Sequence, residues 1–250
     1  IDLVSEERAL KNYNEIKELL KGTRYENSPI IPISAQHSIG MSSLIEAIEE
    51  NFPTQKRDTA KEPLMLVARS FDINRPGTKP KDIVGGVLGG SLKQGILKKG
   101  QEIEIRPGYM VEEKNQKVWK PLLAEIAALK TGGNNVDEVG PAGSIGILTT
   151  LDPSIVKGDK LAGAVVGLKG RIPKVWYEVL LEIHLLQRVV GLKEELKVEP
   201  VKLNEPLMLN VNSAATVGFV TKLKKDHAYC QLKIPVCADL GSRVTISRRV

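Results

Sequence analysis

A carboxylate and a serine-alanine turn, each at the end of an apolar run, carry the sharpest chemistry in the chain. Ile1-Asp2-Leu3 and Ile31-Pro32-Ile33-Ser34-Ala35-Gln36 both read as ends of parallel strands. In open α/β sheets that is the edge where ligands bind. A carboxylate there can accept two hydrogen bonds from a planar base with adjacent N–H donors. Guanine offers such a pair at N1 and N2, and adenine does not. Backbone N–H groups after the second strand can donate to the guanine O6. Asp2, Ser34, Ala35 and Gln36 therefore make a candidate guanine pocket. Taken alone, the local pattern fits an ordinary turn better, with Asp2 opening a loop and Ser34 closing a strand. His37 reads as a solvated loop residue rather than a base.

Three further constellations invite a chemical reading. The run Gly85-Gly86-Val87-Leu88-Gly89-Gly90-Ser91-Leu92-Lys93-Gln94-Gly95 is glycine-rich. A phosphate loop must open onto a helix whose amides face the anion. Here glycines alternate with apolar residues and another strand-like stretch follows. Gly85, Gly86, Val87, Gly89 and Gly90 instead mark a barrel corner or a groove for an extended ligand. Lys222, Lys224 and Lys225 form one basic cluster, and Arg243, Arg248 and Arg249 another. Either could meet nucleic-acid phosphates, although a solvated face explains them as well. The sequence sets no aromatic residues among them to stack bases. His227, Cys230 and Cys237 supply at most three ligands at a loose C-x₆-C spacing, so no metal site is expected. No G-x-S-x-G nucleophile motif occurs, and no catalytic residue is assigned.

The elements that must position these groups change character along the chain. In residues 1–55, Ile1 to Val4 and Pro29 to Ile33 read as strands. Ser5 should cap a helix carrying Leu10, Tyr13, Ile16, Leu19 and Leu20 at helical spacing, closed by Lys21 and Gly22. Ser42 or Ser43 should start a second helix that Pro53 stops. Alternating strand and helix predicts the end of an α/β parallel-sheet domain. Residues 56–63 read as a linker. Short β-rich runs separated by glycine and proline fill 64–169, and again 170–250, predicting two all-β barrels. With 42% hydrophobic residues the chain can build a core, but only 4% are aromatic, so that core must be aliphatic. No apolar run approaches the roughly 20 residues that span a bilayer. Two cysteines and no export signal predict a reducing cytoplasm. The net charge of +6 suits a polyanionic partner or simple solubility.

Together these segments resemble one family: the gamma subunit of translation initiation factor 2, of the archaeal type. The resemblance is carried by Asp2, Ser34-Ala35-Gln36, Arg69-Ser70-Phe71-Asp72-Ile73-Asn74-Arg75-Pro76-Gly77, Gly85 to Gly90, Gly100 to Gly108, His184-Leu185-Leu186-Gln187-Arg188-Val189-Val190-Gly191 and Ser247-Arg248-Arg249. It covers essentially the whole chain. It implies a GTP-binding translational GTPase that delivers methionylated initiator tRNA to the small ribosomal subunit, in a heterotrimer with alpha and beta subunits. It implies that Asp2 matches the aspartate of an Asn-Lys-x-Asp guanine motif, and Ser34 to Gln36 its Ser-Ala motif. Gly85 to Gly95 matches the strand and turn near the aminoacyl end of the tRNA. The Asn and Lys before Ile1, the phosphate loop, both switch regions and the Mg2+ ligands have no counterpart here. GTP or GDP with Mg2+ is therefore expected of the intact family member, and hydrolysis is not expected of these 250 residues alone. Rival readings are an elongation-type or selenocysteine-type factor, and a tRNA- or protein-binding double barrel without GTPase activity.

Overall fold

The computed structural model describes residues 1–54, 56–114, 116–141, 143–186 and 198–248. Contacts divide the chain into two units, Ile1–Lys56 and Arg57–Val250. In the first, Ser5 sits in extended backbone and its hydroxyl accepts the Arg8 N–H at 3.4 Å, which starts α1 (Glu6–Leu20). Glu6 and Glu7 in the first turn complement the helix dipole. The second helix, α2 (Met41–Asn51), begins earlier than serine capping predicts. Its cap is Gly40, at φ 72°. A Cβ there would lie 2.4 Å from the Pro32 carbonyl oxygen, so only glycine lets the helix start tight against that segment.

The two expected strands of this unit do not form. Ile1 to Val4 is turn and bend, and residues 28–33 carry no strand pairing. A strand exists through its ladder. Among the described residues, one hydrogen bond links these segments, from the Ile1 amino group to the Ile33 carbonyl at 2.8 Å.

In the second unit, nine strands form a closed barrel and its decoration: β1 (Leu64–Phe71), β2 (Val87–Gln94), β3 (Leu97–Lys98), β4 (Glu102–Glu113), β5 (Gln116–Thr131), β6 (Asn134–Val136), β7 (Glu138–Val139), β8 (Ile145–Thr149) and β9 (Val165–Leu168). The order β4-β9-β1-β2-β8-β5 is closed by antiparallel pairing of β5 with β4, and β6 extends β5. Closure leaves the ring without an unpaired edge. Alternate residues point inward, and Met65, Val67, Leu88, Ile103, Ile105, Ile126 and Ile147 are fully buried. Each such aliphatic burial contributes about 1.5–3 kcal/mol, so the core needs no aromatic ring. A short helix, α3 (Pro153–Val156), is capped by Asp152, which accepts the Ser154 N–H at 2.8 Å.

A second antiparallel sheet follows: β10 (Val175–Glu182), β11 (Pro206–Val211), β12 (Ala214–Lys224), β13 (His227–Cys237) and β14 (Val244–Ser247), in the order β10-β13-β12-β11-β14. Among the described residues it stays open, with β10 and β14 at its edges. Leu207, Leu209, Val211, Val220, Ala228, Cys230 and Val236 form its core.

The barrel and this sheet are joined by a small cluster and a polar staple. Leu64, Val165, Ile172 and Cys237 pack together. Beside them, the buried Glu104 accepts the Gly170 N–H at 2.8 Å and the Arg106 Nε–H at 2.6 Å. Arg106 donates onward to the Pro173 carbonyl at 3.3 Å.

Candidate functional site

Asp2 and the serine-alanine turn come together. Ser34 is buried and exchanges two backbone bonds with Ile39, at 3.0 and 3.1 Å, closing a tight loop over residues 35–38. The Ser34 hydroxyl accepts the His37 N–H at 3.3 Å. The same hydroxyl beside Asp2 is the main cause that holds the Asp2 carboxyl below the usual carboxylate range. His37 Nε2 lies 3.9 Å from the Asp2 carboxylate. Ala35 and Gln36 are exposed, and among the described residues their amides have no acceptor. The Asp2 carboxylate thus lies beside a loop that leaves two N–H donors open.

The glycine run divides into two kinds of position. A Cβ at Gly85 would sit 1.8 Å from the Thr149 carbonyl oxygen, and one at Gly90 would sit 1.9 Å from that of Leu66. At Gly86 it would meet the Val156 side chain at 2.3 Å. The strand begins at Val87, and Gly86 just before it still exchanges backbone bonds with the neighbouring chain, its N–H to the Leu151 carbonyl and its carbonyl from the Thr149 N–H, both at 2.9 Å. Gly89 differs: its nearest neighbours, Arg69 Cβ and Phe71 Cε1, are at an ordinary 3.8 Å.

The Arg-Ser-Phe-Asp-Ile-Asn run, for which spacing suggests no role residue by residue, has a clear division of labour. Its polar side chains are used internally. Arg69 Nε lies 3.0 Å from both Asp159 oxygens. The buried Ser70 donates to Val156 O at 2.8 Å. Asp72 accepts from Asn74, and the Asn74 amide clasps the N–H and carbonyl of Val84 at 2.9 and 2.8 Å. Its apolar side chains, Phe71 and Ile73, are left exposed, as are Ile83 and Val84 across the clasp.

The basic cluster of the second sheet has an aromatic partner after all. Cross-strand register sets Lys222 opposite Tyr229 and Lys224 opposite His227, with Phe219 opposite Gln231. Lys222 Nζ lies 5.6 Å from the centre of the Tyr229 ring. Tyr229 and Phe219 are both partly exposed. Lys225 occupies the hairpin turn at φ 50°. Arg243 is exposed, whereas Arg248 is engaged. It forks onto Glu205 at 2.6 and 3.1 Å and donates to the Glu199 and Pro200 carbonyls. Arg249 lies outside the described residues, as do positions 187–191 of the His184 run.

Among the described residues, no group of three or more His, Cys, Asp or Glu side chains converges as metal ligands would. Cys230 and Cys237 are buried. Cys237 Sγ lies 3.2 Å from the Pro173 carbonyl, and burial pushes its thiol up to about 12. Among the described residues, no helix is long and apolar enough to cross a membrane.

With this geometry in view, comparison with known proteins is informative. Residues 177–250 match the family described as initiation factor eIF2 gamma, C terminal. The translation initiation factor 2 subunit gamma of Pyrococcus furiosus is 55% identical over all 250 residues, and the chain spans 61% of that relative's length. The Archaeoglobus fulgidus subunit is also 55% identical, with 58% of its length spanned. Among solved structures, elongation factor SelB of Methanococcus maripaludis, crystallised with the GTP analogue GppNHp, has a TM-score of 0.72 at 19% identity. That match covers 99% of this chain and 53% of SelB. A bacterial selenocysteine-specific elongation factor gives 0.70 at 19% identity, covering 98% of this chain and 36% of its own. These two share the fold. The fold and an identity above one half along the whole chain agree on one likeness: the chain is similar throughout to archaeal translation initiation factor 2 gamma subunits and spans about three-fifths of their length, with residues 177–250 matching that family's C-terminal part.

Proposed function

We propose that this chain is the guanine-reading end and the tRNA platform of a GTP-dependent initiation factor. In this reading residues 1–55 complete a GTP-binding domain, 56–63 link it onward, and 64–169 and 170–250 are the two β domains. The full-length protein would join alpha and beta subunits and carry methionylated initiator tRNA to the small ribosomal subunit. GTP would hold the domains in the binding arrangement, and hydrolysis would release it. The observation that carries this reading is the 55% identity to gamma subunits along the entire chain, against 19% for the selenocysteine-specific factors.

The chain's own residues fit part of the nucleotide. An ionised Asp2 would accept from guanine N1 and N2, and the amides of Ala35 and Gln36 would donate to O6. Mg2+ finds no cluster of carboxylates or imidazoles among the described residues, so no step is assigned to it. Phe71, exposed beside Gly89, together with the exposed Ile73, Ile83 and Val84 at the Asn74 clasp, supports a resting place for the aminoacyl end. Lys222, Lys224, Lys225 and Arg243 would contact phosphates, while Arg248 would support the sheet through Glu205.

The test is Asp2→Asn in a gamma subunit of the relatives' full length. The amide can donate to the extra carbonyl of xanthine, so preference should move from guanine towards xanthine nucleotides. Unchanged preference removes Asp2 from the pocket. The likeness to SelB favours one second reading, a selenocysteine-type factor. Competition between initiator methionyl-tRNA and selenocysteyl-tRNA separates the two.

A further inference from the structure

A cleft of about 280 Å³ opens where the barrel meets the second sheet, away from Asp2 in sequence and from the Phe71 patch in lining. The barrel contributes Arg106, Pro107, Trp119 and Pro121, and the sheet contributes Lys174 and Tyr177. With Val175, the walls are therefore two aromatic side chains, two proline rings, one aliphatic side chain and two cations. Apart from the staple that Arg106 forms with Glu104 and Pro173, the roles above use none of them.

Each component is held for a reason the structure supplies. Arg106 commits Nε to the buried Glu104 and one Nη1 hydrogen to Pro173. Its Nη2 hydrogens have no acceptor among the described residues, so the guanidinium is fixed in plane with donors to spare. Lys174 forms no ion pair with a described residue and is exposed. Trp119 stands opposite Met110 in the β4–β5 ladder, which fixes its side of the ribbon. Tyr177 lies beside an irregularity in the β10–β13 register, and its carbonyl accepts from Gln231 at 3.2 Å. One fixed guanidinium and one open ammonium beside two aromatic side chains suit a ligand with a flat ring and an anionic group. That is the chemistry of a nucleotide: rings stack the base and cations neutralise the phosphate. The volume lies just below the range of drug-sized pockets, which suits one nucleotide unit rather than a longer insertion. The chain's net charge of +6 points the same way.

We infer that this cleft binds a single phosphorylated nucleotide unit of single-stranded RNA, with its base against Trp119 or Tyr177 and its phosphate at Lys174 and Arg106. The inference holds whichever tRNA the protein carries.

The experiment titrates the 250-residue chain with 5′-phosphorylated tetrauridylate and follows tryptophan emission. Saturable quenching is expected. Lys174→Glu, at an exposed position that leaves folding intact, should weaken it about tenfold. Trp119→Phe should remove the quenching, because the second tryptophan, Trp176, is part-buried with its indole N–H bonded to Ala238 O. Lys99→Ala, at an exposed lysine outside the cleft lining, should leave the response unchanged, which separates the cleft from general surface charge. Absence of quenching overturns the inference, and so does quenching indifferent to Lys174→Glu. Equal competition by tripolyphosphate would make this a bare anion site. Equal competition by oligoglutamate would make it a site for acidic peptides. Either result overturns the nucleotide assignment.

Discussion

Gly86 and Gly89 are three residues apart in one run, yet they should respond oppositely to the same added methyl. At Gly86 the new Cβ would lie 2.3 and 2.6 Å from the two Val156 methyls and 3.0 Å from its Cβ. Val156 is fully buried and cannot retreat into solvent. Overpacking of this kind costs about 1–3 kcal/mol. For a chain of this size that is a fall in Tm of roughly 2–12 °C. At Gly89 the new Cβ finds only contacts of 3.8 Å or more, so Gly89→Ala should stay within about 0.5 kcal/mol of the parent. A rescue sharpens the test. Val156→Ala alone removes two buried methyl groups and costs on the order of 2 kcal/mol. In the double variant the methyl added by Gly86→Ala occupies the vacated space, so the two losses should fall short of additive by about 1 kcal/mol or more. Thermal unfolding by calorimetry on the parent, the three single variants and the double variant measures all of this. If Gly86→Ala is neutral, or its loss simply adds to that of Val156→Ala, the close-packing account of the glycine run fails. If Gly89→Ala unfolds the barrel, the open surface at that position is wrong. With both outcomes as expected, Gly89→Ala becomes a clean probe of tRNA binding at the Phe71 patch.

Three further outcomes follow. Glu104→Gln keeps an acceptor for Gly170 but discharges the pair with Arg106, and urea unfolding should show a loss of roughly 1–3 kcal/mol. The Arg69 hydrogen bond holds the Asp159 carboxyl below its usual range. Its stabilisation is therefore full above the unfolded carboxylate value of about 3.9 and is lost as pH falls through the lower folded value. Asp159→Asn should accordingly lower stability at neutral pH and flatten the acid limb of a Tm-versus-pH curve below about pH 4. Cys237, with its thiol pushed up to about 12 and only 2% exposed, should resist iodoacetamide at mildly alkaline pH until the chain is unfolded.

Local signals in the sequence reach as far as local physics does. Ser5 before Glu6-Glu7 announces α1 because a cap acts within three residues. The Gly40 start of α2 is missed because the contact that requires it lies back along the chain, at Pro32. The β blocks are legible from alternating aliphatics, but β4 and β5 run longer than their apolar runs because their ribbon is held by backbone pairing through polar positions such as Glu112 and Lys117. Asp2 and Ser34 can be paired in advance because both are strand-like ends with matching chemistry. The Lys222–Tyr229 stack and the Trp119–Tyr177 cleft cannot. The first depends on a register set by the Lys224-to-His227 turn, and the second on two sheets meeting. In the Arg69 to Asn74 run neither spacing nor composition assigns a role to any one residue. The fold consumes the polar groups and presents the apolar ones.

The closed ring also imposes an order in time. β9 lies between β4 and β1, and its Gly167 pairs with Leu64 at the start of the barrel. Roughly a hundred residues separate those partners. At about 5–20 residues per second, a ribosome leaves the β1 edge bare for roughly 5–20 s before β9 emerges to cover it. Through that interval Leu64, Met65 and Leu66 offer unpaired amides and carbonyls on an aliphatic strand. The nascent chain is thus most vulnerable to chaperone capture or misassociation between the emergence of β1 and that of β9, and the arrival of four residues, Val165–Leu168, ends the exposure.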